Sequence, residues 1–172
     1  MTYLKYTGDG ELKKAHESDI GFDVSANKLE IIYDGGYYDE FTKDEMTLEK
    51  IRNSLCKHAY SVKKLVFDTG IAIEPDRFCW VMACANSRVC KTNFVLQNGV
   101  GIIDPSYRGT IRFAYLNASA RGYISEADVL MLCKTCGQLI PMTDVSHVTK
   151  AQKVDSLSET ERGSGGFGST AN

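Results

Sequence analysis

Nowhere in the 172 residues does an apolar run approach the ~18 residues of a membrane-spanning helix, so no membrane partner is expected. The opening segment MTYLKYTGDGELKK has no apolar core of the signal-peptide kind, which predicts a cytoplasmic location. An excess of one charge sign is missing as well. With 20 Lys and Arg against 22 Asp and Glu, the net charge of -2 predicts no steering toward nucleic acid, and a polyanion would have to meet a local cluster of donors. Metal-ligand spacing is sparse. Cys133 and Cys136 form C-K-T-C, but Cys84 and Cys90 have five residues between them and the three histidines are scattered. A closed zinc site needs four ligands, so the cysteines are read as reduced thiols packed in strands. What remains is ordinary: 43% hydrophobic and 24% charged residues, in a length suited to one domain with a tail.

Short strand-like runs dominate. KKLVFDTGIAIE (63–74) is apolar on both sides of Thr69-Gly70, and RFCWVMAC (77–84), NFVLQN (93–98), TIRFAYLN (110–117) and DVLMLC (128–133) follow. In 110–117, Ile111, Phe113 and Tyr115 share one face and Arg112 takes the other. Many short strands at regular spacing predict an all-β sandwich, jelly roll or barrel. One stretch, 41–60, reads as a helix: Thr42 and Glu45 suit a capping box, Phe41 and Met46 a staple, and Leu48, Ile51 and Leu55 one apolar face. After Pro141 the chain turns polar, which predicts a surface strand and then a tail.

That tail ends ERGSGGFGSTAN. Gly163 to Gly168 has the glycine spacing of a P-loop, but Ser169 stands where G-x-x-x-x-G-K-S/T needs lysine, and too few residues follow for a helix. The chemistry of the stretch is still directed at a nucleotide. Glycines let backbone N–H groups converge on an anion, and Ser169 and Thr170 add hydroxyls. Arg162 supplies a fork for phosphate oxygens and Phe167 a flat face for a base. On composition alone the plain alternative is a Gly/Ser tail with Arg162 and Phe167 incidental.

Three more stretches bear on the choice. SDIGFDVSA (18–26) sets Asp23 among apolar residues just after a glycine. NGVGIIDPSYRGTIRF (98–113) looks like a β-hairpin with Asp104 at its tip and Tyr107 before the return strand. CGQLIPM (136–142) carries Gln138 in an apolar strand. Taken in order with the tail, they resemble the trimeric dUTP pyrophosphatase family. The first is similar to its A-G-Y-D-L element with Ile20 for the alanine. The second is close to G-V-I-D-x-x-Y-R-G and is the most specific of the four. The third resembles R-I-A-Q-L-I, and the tail resembles R-G-x-x-G-F-G-S-T-G with Ala171 for the last glycine. Where the family carries P-R-S-S or P-R-S-G before a lysine, this chain reads ACANSRVCK (83–91). The best fit sets Asn86-Ser87-Arg88 against R-S-G, one residue out of step with Lys91.

The resemblance implies a homotrimeric jelly roll with one short inserted helix. It divides the chain into a β domain at 1–157, with an insertion at about 35–60, and a flexible arm at 158–172. It implies Mg2+-dependent hydrolysis of dUTP to dUMP and pyrophosphate, which limits uracil in DNA and supplies dUMP. Asp104 would activate water for attack on the α-phosphorus, and Asp23 would meet Mg2+ through a water. Asn98, Gly101, Ile102 and Ile103 would read uracil through strand backbone, and Tyr107 would pack on deoxyribose. Asn86, Ser87 and Gln138 would face phosphate, while Arg88 has two roles open to it, phosphate contact or an ion pair. Arg162, Gly168, Ser169 and Thr170 would close on the γ-phosphate, and Phe167 on the base. For the residues themselves plainer readings stand alongside: Asp104 as a turn residue before Pro105, Asp23 as a turn cap, Tyr107 as packing. Two rival functions use the same fold. A dCTP deaminase would need a glutamate near the base, which GIIDPSYRG lacks, and a non-catalytic dUTP-binding trimer would accommodate the altered NSRVCK.

Overall fold

The computed structural model describes residues 3–58, 61–76, 79–119, 124–143, 150–161 and 163–164. Its elements are β1 (Tyr3–Gly8), β2 (Phe22–Val24), β3 (Lys28–Tyr33), β4 (Tyr38–Thr42), α1 (Leu48–Lys57), β5 (Val62–Asp68), β6 (Ile71–Glu74) and β7 (Cys79–Cys84). After these come β8 (Phe94–Leu96), β9 (Val100–Ile103), β10 (Arg112–Asn117), α2 (Glu126–Lys134), β11 (Gly137–Thr143) and β12 (Lys150–Lys153). Among the described residues the molecule is mostly β with two short helices, and the strands form three sheets, ordered β4-β3-β5-β10-β8, β2-β11-β7-β9 and β12-β1-β6. Among the described residues no helix is long and apolar enough to cross a membrane.

Period-two patterning builds the core. Leu29, Ile31 and Tyr33 of β3, Leu65 and Phe67 of β5, and Phe113 and Tyr115 of β10 all point inward and are buried. Ile111 is buried beside them, while Arg112 on the opposite face pairs with Glu30 at 2.6 Å, as the alternation predicted. Thr69-Gly70 ends β5 and lets the chain change sheets. Gly70 sits at φ +65°, where a side chain is strained, and the buried Thr69 hydroxyl donates to the Ile111 carbonyl at 2.9 Å.

Three expectations are corrected. DVLMLC is not a strand but most of α2. Ser125 Oγ accepts from the Ala127 N–H at 3.1 Å, Glu126 and Asp128 occupy the positive first turn, and Val129, Leu132 and Cys133 are buried at helical spacing. A fold with one helix therefore becomes a fold with two. The 41–60 helix is shorter than expected. Thr42 ends β4 and anchors a 3-10 turn (Lys43–Glu45), and α1 starts only at Leu48 behind its own cap, Thr47. Within α1, Ile51 and Ser54 are buried whereas Leu48 is 45% exposed. The helix rests on α2, joined by the Arg52–Glu126 ion pair at 2.8 Å. Lastly, 98–113 is not a simple hairpin. β10 pairs with β8 and β5, but β9 leaves them to pair with β7 in another sheet. A cleft opens where the hairpin ladder was expected.

Candidate functional site

The cleft between β9 and β10 has a volume of ≈ 260 Å³. Ala83 and Leu96 line it, with Asn98 and residues 100–104 along one wall and Tyr107 and residues 110–113 along the other. Because β9 is the edge of its sheet, half of its backbone donors and acceptors face away from β7 toward this space. Gly99 makes the entry turn at φ +64°. At Gly101 a Cβ would stand 3.1 Å from Asn98 Nδ2 and 3.4 Å from Ala83 Cβ, the first of these closer than side chains ordinarily pack. Asp104 lies exposed at one end.

The loop after Asp104 is braced from several sides. Tyr107 N–H donates to the Asp104 carbonyl and its hydroxyl to the Thr110 carbonyl, both at 3.1 Å. Gly109 leaves the room the Tyr107 ring occupies. Arg108 donates to the Pro105 carbonyl at 2.6 Å, the Tyr107 carbonyl at 2.9 Å and the Ser158 carbonyl at 2.9 Å. Ser158, Thr160 and Gly163 close the brace: Ser158 N–H donates to Glu74 at 2.7 Å, the Thr160 hydroxyl to the Ser106 carbonyl, and Arg108 N–H to the Gly163 carbonyl at 2.7 Å. Arg162, Phe167, Gly168, Ser169 and Thr170 lie outside the described residues.

A second cluster forms around Asp23. In the β2–β11 register Asp23 stands opposite Gln138, whose Nε2 donates to Asp23 Oδ1 at 2.8 Å. Asn86, buried at the end of β7, donates to the same oxygen at 3.1 Å. Its own Oδ1 accepts from Arg88 N–H at 3.0 Å and starts the 3-10 turn Ser87–Lys91. The Arg88 guanidinium donates to the Thr135 hydroxyl at 2.8 Å; among the described residues it has no carboxylate partner. Ser87 is exposed beside them. Nearby, desolvation raises the pKa of the Cys84 thiol and pushes that of Cys133 up to about 12, so both are protonated at neutral pH.

The structure does not bring all the expected residues together within one chain. Asp104 follows Ile103, which is opposite Val81, whereas Gln138 is opposite Cys84 on the other flank of β7. Four strand positions at ~3.3 Å and two strand spacings at ~4.8 Å put Asp104 and Gln138 roughly 16 Å apart. The sequence reading missed Ala83 and Thr110, which line the cleft. It also missed four lysines, Lys13, Lys14, Lys43 and Lys134, around a hollow beside Asp23. The KK at 13–14 was visible, but nothing local ties it to residues 43 and 134.

No protein-family profile matches the chain. It is 38% identical over 109 residues to the deoxyuridine 5'-triphosphate nucleotidohydrolase of Escherichia phage T5, covering 63% of this chain and 69% of that protein. It is 37% identical over 111 residues to the Bdellovibrio bacteriovorus protein of the same name, covering 63% and 68%. Two mutant forms of the Staphylococcus bacteriophage 80alpha dUTPase, each solved with dUpNHpp, share the fold. Their TM-scores are 0.54 and 0.52 at 14% identity, with 100% and 99% of both chains covered.

Proposed function

The chain belongs to the deoxyuridine 5'-triphosphate nucleotidohydrolase family, and from that premise we propose that it hydrolyses dUTP to dUMP and pyrophosphate by water attack on the α-phosphorus. The observation that carries the reading is the cleft: a nucleobase-sized space walled by the free edge of β9, with Asp104 at its end. Uracil presents alternating acceptors and a donor, which the outward-facing half of the β9 backbone C=O and N–H groups can match. Cytosine reverses that pattern, and a buried mismatched donor is costly. A thymine methyl would collide with the walls of so narrow a cleft. Tyr107, held by Gly109 and the Thr110 carbonyl, packs on the sugar. Asp104 orients and deprotonates the water, a contribution of ~10²–10⁴-fold for general bases.

The Asp23 cluster serves the phosphates. Both amides grip Oδ1, and Oδ2 would accept from a water carried by Mg2+. Mg2+ takes few protein ligands and several waters, and among the described residues no group of three or more His, Cys, Asp or Glu forms a cage. The donor set therefore fits an ion carried mainly by the substrate, where it draws charge off the phosphate oxygens. Gln138, Ser87 and Arg88, which cluster about Asp23 and Thr135, would supply donors to the phosphates.

The ~16 Å between Asp104 and Gln138 is too long for both to serve one phosphate chain from a single subunit. The separation supports a homotrimer whose sites each combine the Asp23 cluster of one chain with the Asp104 cleft of another. The assignment is tested by pyrophosphate release with Mg2+ from dUTP, dTTP, dCTP and UTP in parallel. Release from dUTP alone is expected. Release from several would refute base reading by β9, and ammonia from dCTP would reassign the chain to deamination.

A further inference from the structure

The position aligned with the arginine of the family's P-R-S-G element holds Asn86, and the structure commits that residue elsewhere. Asn86 is buried, and both ends of its amide are used, on Asp23 Oδ1 at 3.1 Å and Arg88 N–H at 3.0 Å. It carries no charge and does not reach outward. That position then supplies no cation to a triphosphate, and the fold offers four close by. A hollow of ≈ 470 Å³ has Asp23 and Thr135 in its lining and Lys13, Lys14, Lys43 and Lys134 around it.

Backbone geometry ties these lysines to the site. Lys13 and Asp23 form an antiparallel bridge, Lys13 N–H to the Asp23 carbonyl at 3.2 Å and Asp23 N–H to the Lys13 carbonyl at 2.6 Å. Residues so paired project from the same face with Cβ atoms ~5 Å apart. Lys13, Asp23 and Gln138 thus stand in one row across the strands. Lys134 precedes Thr135, which holds the Arg88 guanidinium at 2.8 Å and draws that charge toward the hollow. Lys14 rests over the Phe22 ring at 5.0 Å, which limits its sweep. Three carboxylates, Asp9, Glu11 and Asp23, also line the space, and Glu11 pairs with Lys13. Four lysines against three carboxylates leave a local +1, or +2 with Arg88, in a chain whose net charge is -2.

We infer that this lysine-rimmed hollow is a polyphosphate-binding basin that takes the β- and γ-phosphates of the nucleotide, and the pyrophosphate they become, in place of the arginine that Asn86 replaces. The inference rests on the dUTP reading for its nucleotide source, but the chemistry it names is that of a pyrophosphate or triphosphate chain. Lysine suits the task, as a compact charge without the planar geometry of a guanidinium fork.

The test uses the full chain with Mg2+ and inorganic pyrophosphate as the probe, read by calorimetry and by inhibition of dUTP turnover. The triple variant Lys13→Gln/Lys43→Gln/Lys134→Gln is compared with Lys13→Arg/Lys43→Arg/Lys134→Arg. Pyrophosphate binding about tenfold weaker in the Gln triple, KM for dUTP raised by a similar factor and kcat much less changed would support the basin. The Arg triple should keep binding, and inhibition by dUMP, which has no β-phosphate, should not move. Unchanged pyrophosphate binding in the Gln triple overturns the inference, as does an equal loss in the Arg triple or for dUMP. Pyrophosphate binding that depends on the lysines in a protein that does not hydrolyse dUTP would sink the functional reading and leave the basin standing.

Discussion

At the residue scale the cleft depends on two positions with opposite demands. Asp104 must be charged and outside; Gly101 must be nothing at all. Replacing Asp104 by Asn keeps shape and removes the proton acceptor, so kcat should fall by ~10²–10⁴-fold while dUTP affinity changes little. Unchanged turnover would remove Asp104 from the chemistry. Gly101→Val puts branched carbon against Asn98 Nδ2 and Ala83, into the space proposed for the base. KM for dUTP should rise about tenfold or more, since one or two misplaced methyl groups in a base pocket are worth that much. Thermal stability should barely move, because the Asn98 side chain at the surface can yield. A large loss of stability with normal KM would mean Gly101 serves folding rather than binding.

At the element scale, capping explains where helices start. Glu45 accepts from the Thr42 N–H at 3.1 Å, the Thr42 hydroxyl at 2.9 Å and Lys50 at 3.2 Å, and these hold its pKa down, from 4.5 to about 2. A depressed carboxylate pKa stabilises the fold above the unfolded value and stops doing so as pH falls through the folded one. The Tm gap between wild type and Glu45→Gln should therefore be widest above pH ~4.5 and close toward pH ~2. A gap independent of pH would show that the carboxylate charge is irrelevant to the turn. Much of this was readable beforehand, since Thr42-x-x-Glu45 is a local signature. Its consequence was not. The capped turn is a short 3-10 segment, and the true cap of α1 is Thr47, whose hydroxyl accepts from Lys50 N–H at 3.3 Å. The strand reading of 128–133 failed because the five apolar residues 129–133 fit either period. The deciding signal was Ser125 with Glu126 and Asp128 just ahead of the run.

For the whole molecule, the separation of Asp104 from the Asp23 cluster makes assembly a matter of chemistry. If each site draws on two chains, Asp104→Asn and Asp23→Asn subunits, each inactive alone, should complement one another. Every mixed cyclic trimer restores one site in three, so co-refolding equal amounts should recover about a quarter of wild-type activity. No recovery in demonstrably mixed trimers would confine the site to one chain.

The sequence by itself determined the strand-rich class, the inward faces of 110–117 and the break at Thr69-Gly70, because alternation and turn chemistry are local. It also carried the four motifs, because the cleft needs particular residues in a particular order. Sheet partnership was decided only in three dimensions. Whether β9 pairs with β10 or leaves it for β7 depends on strands far away in the chain, and that departure opens the cleft. The gathering of Lys13, Lys43 and Lys134 beside Asp23 is of the same kind. These residues are neighbours only because three separate elements converge on one face, and no spacing along the chain records it.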